Sequence, residues 1–340
     1  MRVTPDALRT FSSEVLTAAG ADRDEAEVVA GILVWGDQVG RPEQGVWRLE
    51  ILVRRLRAGL FASPCHLRIE AVSPAAAVVD GGNGIGHFVA DRAVRHAMQL
   101  ARETGVGAVS VRRSNYLGAV GYYTQLAARE GMLAFAASNS FPKVAAYGGS
   151  EPALGTDPLA FAAPRTSGGP LMVDMSTSSS SGSALRWARE EKAGVGASKG
   201  AAARPAETAP DLIQPLGGPK GFGLALMVEI LSGALSAGGM GHEVRSMYKD
   251  FERPGDNSHF FAVFDLERWA GRAAATERIE GLLTAIIHSG GDEPVRIPGQ
   301  VRWETLQENA ANGIPLNERV VSRLEGLARD LSVPLPEALP

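Results

Sequence analysis

The feature that most constrains the fold is an apolar stretch, residues 114–165, which polar and glycine-rich loops interrupt at short intervals. Its composition predicts a helix of small residues over 118–130, because Gly131 is typical of a helix end. Two apolar runs of strand length follow, at 133–137 and 159–163. The polar loops beside these runs are Ser138–Pro142 and Gly155–Pro158. Such loops often bind small ligands, so the stretch predicts either a ligand site or a sheet with merely polar turns.

Length and composition limit the class of protein. With 340 residues, of which 45% are hydrophobic and 21% charged, the chain predicts a globular protein of two lobes. The net charge of −4 and the lack of a basic block argue against a nucleic-acid partner. No apolar run reaches the roughly 18 residues of a membrane span, and MRVTPDALRTF lacks the apolar core of a signal peptide, so we expect a cytoplasmic enzyme. The single cysteine, Cys65, excludes an internal disulfide and a cysteine-rich metal site.

Helical patterns occupy both ends of the chain. Periodicity and capping residues predict helices over 4–19, 22–37 and 44–58, and a last helix that begins after Asn317 and runs to about Leu331. Residues 77–111 read as strand, glycine-rich turn, helix and strand. The turn at 81–86 lacks the G-x-G-x-x-G spacing, because His87 stands where the third glycine would be, so we interpret it as structural.

Two further segments have the composition of anion-binding loops. The predicted strand 171–174 runs into a serine-rich loop that precedes a helix over 183–192, and hydroxyls and free N–H groups at a helix start can hold a phosphate. Residues 215–223 form a glycine-rich loop with Lys220, which opens an apolar helix and has the same capacity. Between them, residues 193–219 lack periodicity and predict a loop or lid.

Short motifs in the central stretch carry a resemblance. They are Ser114-Asn115-Tyr116, Gly121-Tyr122-Tyr123, Asn139-Ser140-Phe141-Pro142 and Gly155-Thr156-Asp157-Pro158. In this order they resemble the malate/L-lactate dehydrogenase family of the non-Rossmann type, which includes ureidoglycolate dehydrogenase, diketogulonate reductase and piperideine-carboxylate reductase. Two positions depart from the family pattern: Tyr116 stands where the family has His, and Asp157 where it has Asn.

The resemblance implies an α/β fold that is not Rossmann: a largely antiparallel sheet domain with flanking helices, plus a helical lobe built from both chain ends. We therefore expect residues 1–70 and 300–340 to form the helical lobe, and residues 71–299 to form the cofactor- and substrate-binding α/β domain. It also implies a homodimer.

The implied reaction is hydride transfer between NADH or NADPH and a small carboxylated 2-oxo acid or cyclic imine. The resemblance assigns cofactor binding to a set of loop residues. They are Ser140, Thr156, Asp157, Asp174, Met175, Ser176, Thr177, Ser178, Lys220 and Gly221.

The proton donor of this reaction is in question. The segment 40–48 matches a family motif that ends in a carboxylate-binding arginine, here Arg48, whose guanidinium can form two parallel hydrogen bonds. The proton-donating histidine of that motif is replaced by Gln44, which offers only amide hydrogen bonds. Tyr116 can act as an acid, so the candidate catalytic residues are Tyr116, Gln44 and Arg48. Alternative donors are His87, His242 and His259, each of which is otherwise a structural or surface histidine.

Two hypotheses follow. The favoured one is a divergent NAD(P)H-dependent reductase, because the cofactor motifs survive better than the acid motifs. The alternative is a non-redox enzyme on the same scaffold, namely an isomerase, lyase, condensing enzyme or hydrolase in a specialised pathway. A catalytically inactive binding protein is a third option.

Overall fold

The structure is a computed structural model that describes residues 1–193, 212–290 and 293–339. Most of the loop or lid predicted over 193–219 lies outside the described residues. The strands are β1 (Arg2–Val3), β2 (Arg68–Ser73), β3 (Ala76–Asp80), β4 (Val106–Ser114), β5 (Met132–Ser138), β6 (Val144–Ala145), β7 (Pro152–Leu154), β8 (Leu159–Ala163), β9 (Leu171–Met175), β10 (Asn257–Asp265) and β11 (Ile314–Pro315). The helices are α1 (Pro5–Ala18), α2 (Arg23–Gln38), α3 (Leu49–Arg57), α4 (Gly86–Thr104), α5 (Val120–Arg129), α6 (Gly182–Ala193), α7 (Pro219–Ser232), α8 (Arg272–His288), α9 (Gln300–Asn312) and α10 (Glu318–Leu331).

A seven-stranded sheet in the order β2-β3-β4-β10-β5-β8-β9 organises the α/β part of the chain. Every neighbouring pair of strands is antiparallel except β3 and β4, which are parallel and joined by α4. The predicted non-Rossmann, largely antiparallel fold is therefore confirmed. None of the helices in the described ranges has the length and apolar character that a membrane span requires.

The two ends of the chain meet. Strands β1 and β11 pair with each other, with Val3 opposite Ile314, and one apolar core joins α1, α2, α3 and α10. Ile85 and Phe88 at the start of α4 belong to the same core, so the helices at the chain ends pack against this helix of the α/β part. The boundaries of the two predicted domains stay a prediction.

The predicted third helix differs from the structure. Residues 42–44 and 46–48 form two 3-10 turns, and α3 begins only at Leu49. Gly45 separates the turns with an extended backbone, and a Cβ there would lie 2.2 Å from the Asp37 carboxylate. Asp37 accepts a hydrogen bond from the Val46 N–H, which holds the turn against α2. A buried carboxylate on a neighbouring helix therefore interrupts a segment whose own periodicity is helical.

The strand pairing brings several loops to one edge of the sheet. Strands β4, β5 and β9 all end at this edge, while β10 begins there, as the pairs His259–Ser138 and Leu159–Met175 show. The polar loops that follow these strands are therefore neighbours, although the sequence separates them by up to about 60 residues.

Candidate active site

A cleft with a volume of about 360 Å³ lies at this edge, between the sheet loops and the first of the two 3-10 turns, residues 42–44. Loops after β4, β5 and β9 supply most of its wall, and the start of α6 closes one side. Its polar and charged lining includes Arg41, Glu43, Gln44, Tyr116, Asn139, Ser140, Lys143, Thr156, Asp174, Ser176, Ser178, Ser183, Arg245, Tyr248 and Arg302. Among the described residues, no group of three or more His, Cys, Asp or Glu side chains is placed to hold a metal ion.

The structure brings many of the predicted site residues together. Those that line the cleft are Gln44, Tyr116, Ser140, Thr156, Asp174, Met175, Ser176 and Ser178. The others, Arg48, Asp157, Thr177, Lys220 and Gly221, lie outside its lining. Thr177 is buried and donates to the Thr156 carbonyl from both its N–H and its hydroxyl, so it ties two cleft loops together. Lys220 is exposed at the start of α7. The roles of all thirteen residues stay predictions.

Arg48 is buried directly behind the cleft wall. Its Nε donates to the Glu43 carbonyl at 2.9 Å, its Nη2 donates to the Ser183 hydroxyl at 2.6 Å, and its Nη1 donates to the Tyr248 hydroxyl. Tyr248 and Ser183 line the cleft, so they stand between this guanidinium and the cavity. Three of the five N–H groups of the guanidinium donate in this way.

Tyr116 and Gln44, two of the candidate catalytic residues, contact each other. The Tyr116 hydroxyl donates to Gln44 Oε1, and the guanidinium carbon of Arg48 lies 5.1 Å from the Tyr116 ring centre. Burial raises the pKa of Tyr116 to about 12, although the positive charge of Arg48 acts in the opposite direction. A phenol with this pKa holds its proton too tightly to be an efficient acid near neutral pH.

The three alternative histidines have different surroundings. His87 is buried edge-on against the Tyr116 ring, and neither of its ring nitrogens has a hydrogen-bond partner among the described residues. Burial lowers the pKa of His87 to about 3, and the charge of Arg48 acts in the same direction. His259 links two strand ends, with its ring nitrogens 2.9 Å from the hydroxyls of Ser138 and Ser114. Its pKa is also lowered to about 3 by burial. His242 is exposed and does not line the cleft.

Asp157 belongs to a buried carboxyl pair. Its Oδ1 accepts the Ser140 N–H at 3.0 Å, which fixes the loop after β5, while its Oδ2 has no partner among the described residues. Burial raises the pKa of Asp157 well above its usual value, and Glu229 on α7 raises it further. Glu229 accepts from the Asn139 amide at 3.3 Å, and burial raises its pKa as well.

Lys143 is a cleft residue that the sequence did not single out. Its Nζ lies 4.0 Å from the centre of the Phe141 ring, and burial, assisted by the charges of Arg48 and Arg186, lowers its pKa to about 8. Its only sequence signal is that it directly follows the loop 139–142, in a segment otherwise made of small apolar residues. Tyr248, which also lines the cleft, belongs to none of the motifs named above, so no sequence signal pointed to it.

The end of the cleft beside Asp174 and Arg302 has room for an elongated ligand. The cleft adjoins a second groove of about 480 Å³, and the two share Arg41, Asp174, Met175 and Arg302 in their walls. Arg302 donates to the Asp174 carboxylate at 2.7 Å and to its carbonyl at 3.1 Å. Hydroxyl groups, arginine side chains and the start of α6 are suitable partners for a dinucleotide with two phosphates.

Comparison with known proteins identifies the family. The sequence profile of the family described as malate/L-lactate dehydrogenase matches residues 3–325. The chain belongs to the malate/L-lactate dehydrogenase family. The resemblance of the central motifs is therefore confirmed.

Members of the malate/L-lactate dehydrogenase family resemble this chain over nearly its whole length. The solved structure of malate dehydrogenase from Pyrococcus horikoshii OT3 superposes with a TM-score of 0.88 at 33% identity, covering 100% of this chain and 97% of that one. The (2R)-3-sulfolactate dehydrogenase (NADP(+)) of Chromohalobacter salexigens is 33% identical over 94% of this chain and 96% of its own length. The ureidoglycolate dehydrogenase (NAD(+)) of Escherichia coli O157:H7 is 30% identical over 95% of each chain.

Proposed function

We propose that this protein is an NAD(P)H-dependent oxidoreductase that reduces a small carboxylated 2-oxo acid or cyclic imine. Its membership of the malate/L-lactate dehydrogenase family carries this proposal, since the relatives named above are dehydrogenases and one of them is described with NAD(+) and another with NADP(+). The bound nicotinamide would supply a hydride to the substrate carbon. Both NADH and NADPH are compatible with the proposal.

The cleft residues divide into two sets by position. We assign the cofactor to the loops that follow β5, β7 and β9. They offer the hydroxyl groups of Ser140, Thr156, Ser176 and Ser178, with Asp174 and Met175 beside them. Asp157 and Thr177 hold these loops in place from behind. Lys220 and Gly221 lie at the start of α7, where Lys220 is exposed and Gly221 is buried.

We place the substrate at the other end, beside Gln44 and Tyr116. Its carboxylate would face the cationic side of the cleft, where Arg48 lies behind Tyr248 and Ser183. The Tyr248 and Ser183 hydroxyls, which accept hydrogen bonds from Arg48, can orient a carboxylate there, and the buried positive charge favours it. Gln44 and Tyr116 hydrogen-bond to each other and so form a fixed polar wall.

The reaction is tested by following the oxidation of NADH or NADPH with a panel of acceptors. The panel contains pyruvate, oxaloacetate, sulfopyruvate and a cyclic imine carboxylate, each against its decarboxylated analogue. We expect one carboxylated acceptor to be reduced and its analogue to be inert. Oxidation of neither cofactor by any carboxylated acceptor would count against the proposal.

We also propose a homodimer in the cytoplasm. Helix α7 supports the dimer, because it packs on the sheet with one face and exposes Leu226, Met227 and Ile230 on the other. Leu235, just after α7, is 56% exposed and extends this apolar surface. Contiguous exposed apolar side chains of this kind mark interaction surfaces.

A further inference from the structure

Lys143 is held firmly in the cleft by its backbone. Its N–H donates to the Leu154 carbonyl at 2.9 Å, and its carbonyl accepts the Ile213 N–H at 3.2 Å. Strands β6 and β7 form the hairpin that carries these contacts. The side chain therefore starts from a rigid position, and it extends along the Phe141 ring toward the start of α6.

A chain of contacts connects the Lys143 ammonium to Arg48. The Phe141 ring, whose face contacts the ammonium, packs edge-on against the Tyr248 ring, with the two ring centroids 6.3 Å apart. The Tyr248 hydroxyl in turn accepts a hydrogen bond from Arg48. On the α6 side, a Cβ on Gly182 would lie 2.6 Å from Lys143 Nζ, and the next residue, Ser183, accepts from Arg48 Nη2. Lys143 therefore lies on the side of the cleft where Arg48 is expected to hold the substrate carboxylate.

The ammonium also lacks a hydrogen-bonding partner. In the part of the chain that the structure describes, the half-buried Lys143 makes no hydrogen bond or ion pair through Nζ, and its contact is with the Phe141 ring. The charged groups that act on it are Arg48, Arg186 on α6, and Asp157 in the loop before β8. The two arginines oppose the charge of this lysine, whereas Asp157 and the Phe141 ring favour it. Its N–H groups are left for a ligand or a chemical role.

We propose that Lys143 is the proton donor of this enzyme, and that it takes the role which the missing histidines leave open. This inference rests on the proposed reductase function. As the carbonyl carbon of the 2-oxo acid accepts the hydride, its π electron pair moves to the oxygen, and that oxygen takes a proton from Lys143 Nζ. The products are the 2-hydroxy acid, the oxidised cofactor and a neutral amine, which regains a proton from water.

The electrostatics of the cleft agree with this role. Lys143, with a pKa of about 8, is mostly protonated at neutral pH and gives up its proton far more readily than Tyr116, whose pKa is about 12. His87 and His259, with pKa values near 3, are neutral imidazoles at neutral pH. Neither is an imidazolium that could donate a proton to the substrate.

The test compares Lys143→Met with Lys249→Met, a substitution of an exposed lysine. We expect Lys143→Met to lower kcat for a 2-oxo acid by about a hundredfold or more, and Lys249→Met to leave it unchanged.

In Lys143→Ala, we expect added methylamine to restore part of the rate. In the wild type, kcat falls as the pH rises through about 8, because the donor is lost. Unchanged kcat in Lys143→Met would overturn the inference.

A second readout does not depend on turnover. Acetylation by acetic anhydride, followed by mass spectrometry over a pH series, gives the titration of each lysine. We expect the Lys143 midpoint near 8, and a midpoint at the ordinary value of about 10.4 would overturn the inference. Calorimetry with NADH and NADPH separates the proton-donor inference from the proposed reductase function. Equal cofactor binding by wild type and Lys143→Met keeps the reductase function, whatever the kinetic result for Lys143. Absence of binding by the wild type removes both proposals.

Discussion

At the scale of single residues, Arg48 connects the N-terminal helices to the cleft wall through hydrogen bonds. It is buried, and its guanidinium contacts a carbonyl, Tyr248 and Ser183, which belong to three different segments. We predict that Arg48→Lys raises KM for the carboxylated substrate about tenfold or more, because an ammonium cannot reproduce the planar fork. The measurement is steady-state kinetics with the substrate found in the acceptor panel.

The control for this variant is Arg57→Lys, at an exposed position of α3. It keeps the same chemical change without touching the cleft. An equal KM for wild type and Arg48→Lys would show that the guanidinium does not orient the substrate.

Asp157 allows a prediction about stability. Because burial raises the pKa of Asp157, the folded protein keeps a proton that the unfolded chain releases above about pH 4. The contribution of this group to the free energy of unfolding therefore falls as the pH rises above about 4. Asp157→Asn removes the ionisable group and leaves an amide oxygen for the Ser140 N–H. We expect a higher Tm at pH 7 than in wild type and no difference at pH 4. A lower Tm at pH 7 would contradict this reading of the carboxyl pair.

At the scale of elements, the 3-10 turns over 42–48 depend on Asp37. Burial raises the pKa of Asp37 to about 8, and Glu43 contributes in the same direction. Stability is therefore lost progressively as the pH rises from about 4 to 8, by an amount on the order of a few kcal/mol. We predict that Asp37→Asn flattens this decline in denaturant unfolding, since the amide oxygen can still accept from Val46.

Asp330→Asn, at an exposed position near the end of α10, serves as its control and should leave the pH dependence unchanged. A decline as steep in Asp37→Asn as in wild type would assign the pH dependence to other carboxyl groups.

Sequence patterns predicted some elements well because their signals are local. Thr4, Asp22 and Asn317 cap helices with their side chains as expected, and Gly131 ends α5 in the left-handed conformation. Tertiary contacts decided other cases. Asp22 and Glu25 have the spacing of a capping box, but the Glu25 carboxylate accepts from Ser63 and from the Cys65 N–H.

At the scale of the whole molecule, the predicted dimer depends on the exposed face of α7. We expect Ile230→Glu, which puts a charge at a 54% exposed apolar position, to shift the protein from dimer to monomer in light scattering. Leu282→Glu, at an exposed apolar position of α8, is the matched control and should leave the mass unchanged. A wild-type protein with the mass of a monomer would refute the dimer.

The assembly of the cleft was only partly predictable. Family motifs pointed to Gln44, Tyr116 and the loops after β5 and β9, and the structure places them together. Lys143 lies only two residues after Phe141, but its approach to α6 comes from tertiary packing. Tyr248 packs against Phe141 and Arg48, which are distant from it in sequence. No local pattern of residue types encodes such contacts.

The central claim is that this cleft binds a nicotinamide dinucleotide. The most direct measurement is isothermal titration of the purified protein with NADH and then with NADPH. The account predicts saturable one-site binding of at least one of them, with a dissociation constant well below millimolar. Absence of binding for both at millimolar concentration would contradict it, and would show that this scaffold no longer carries out redox chemistry.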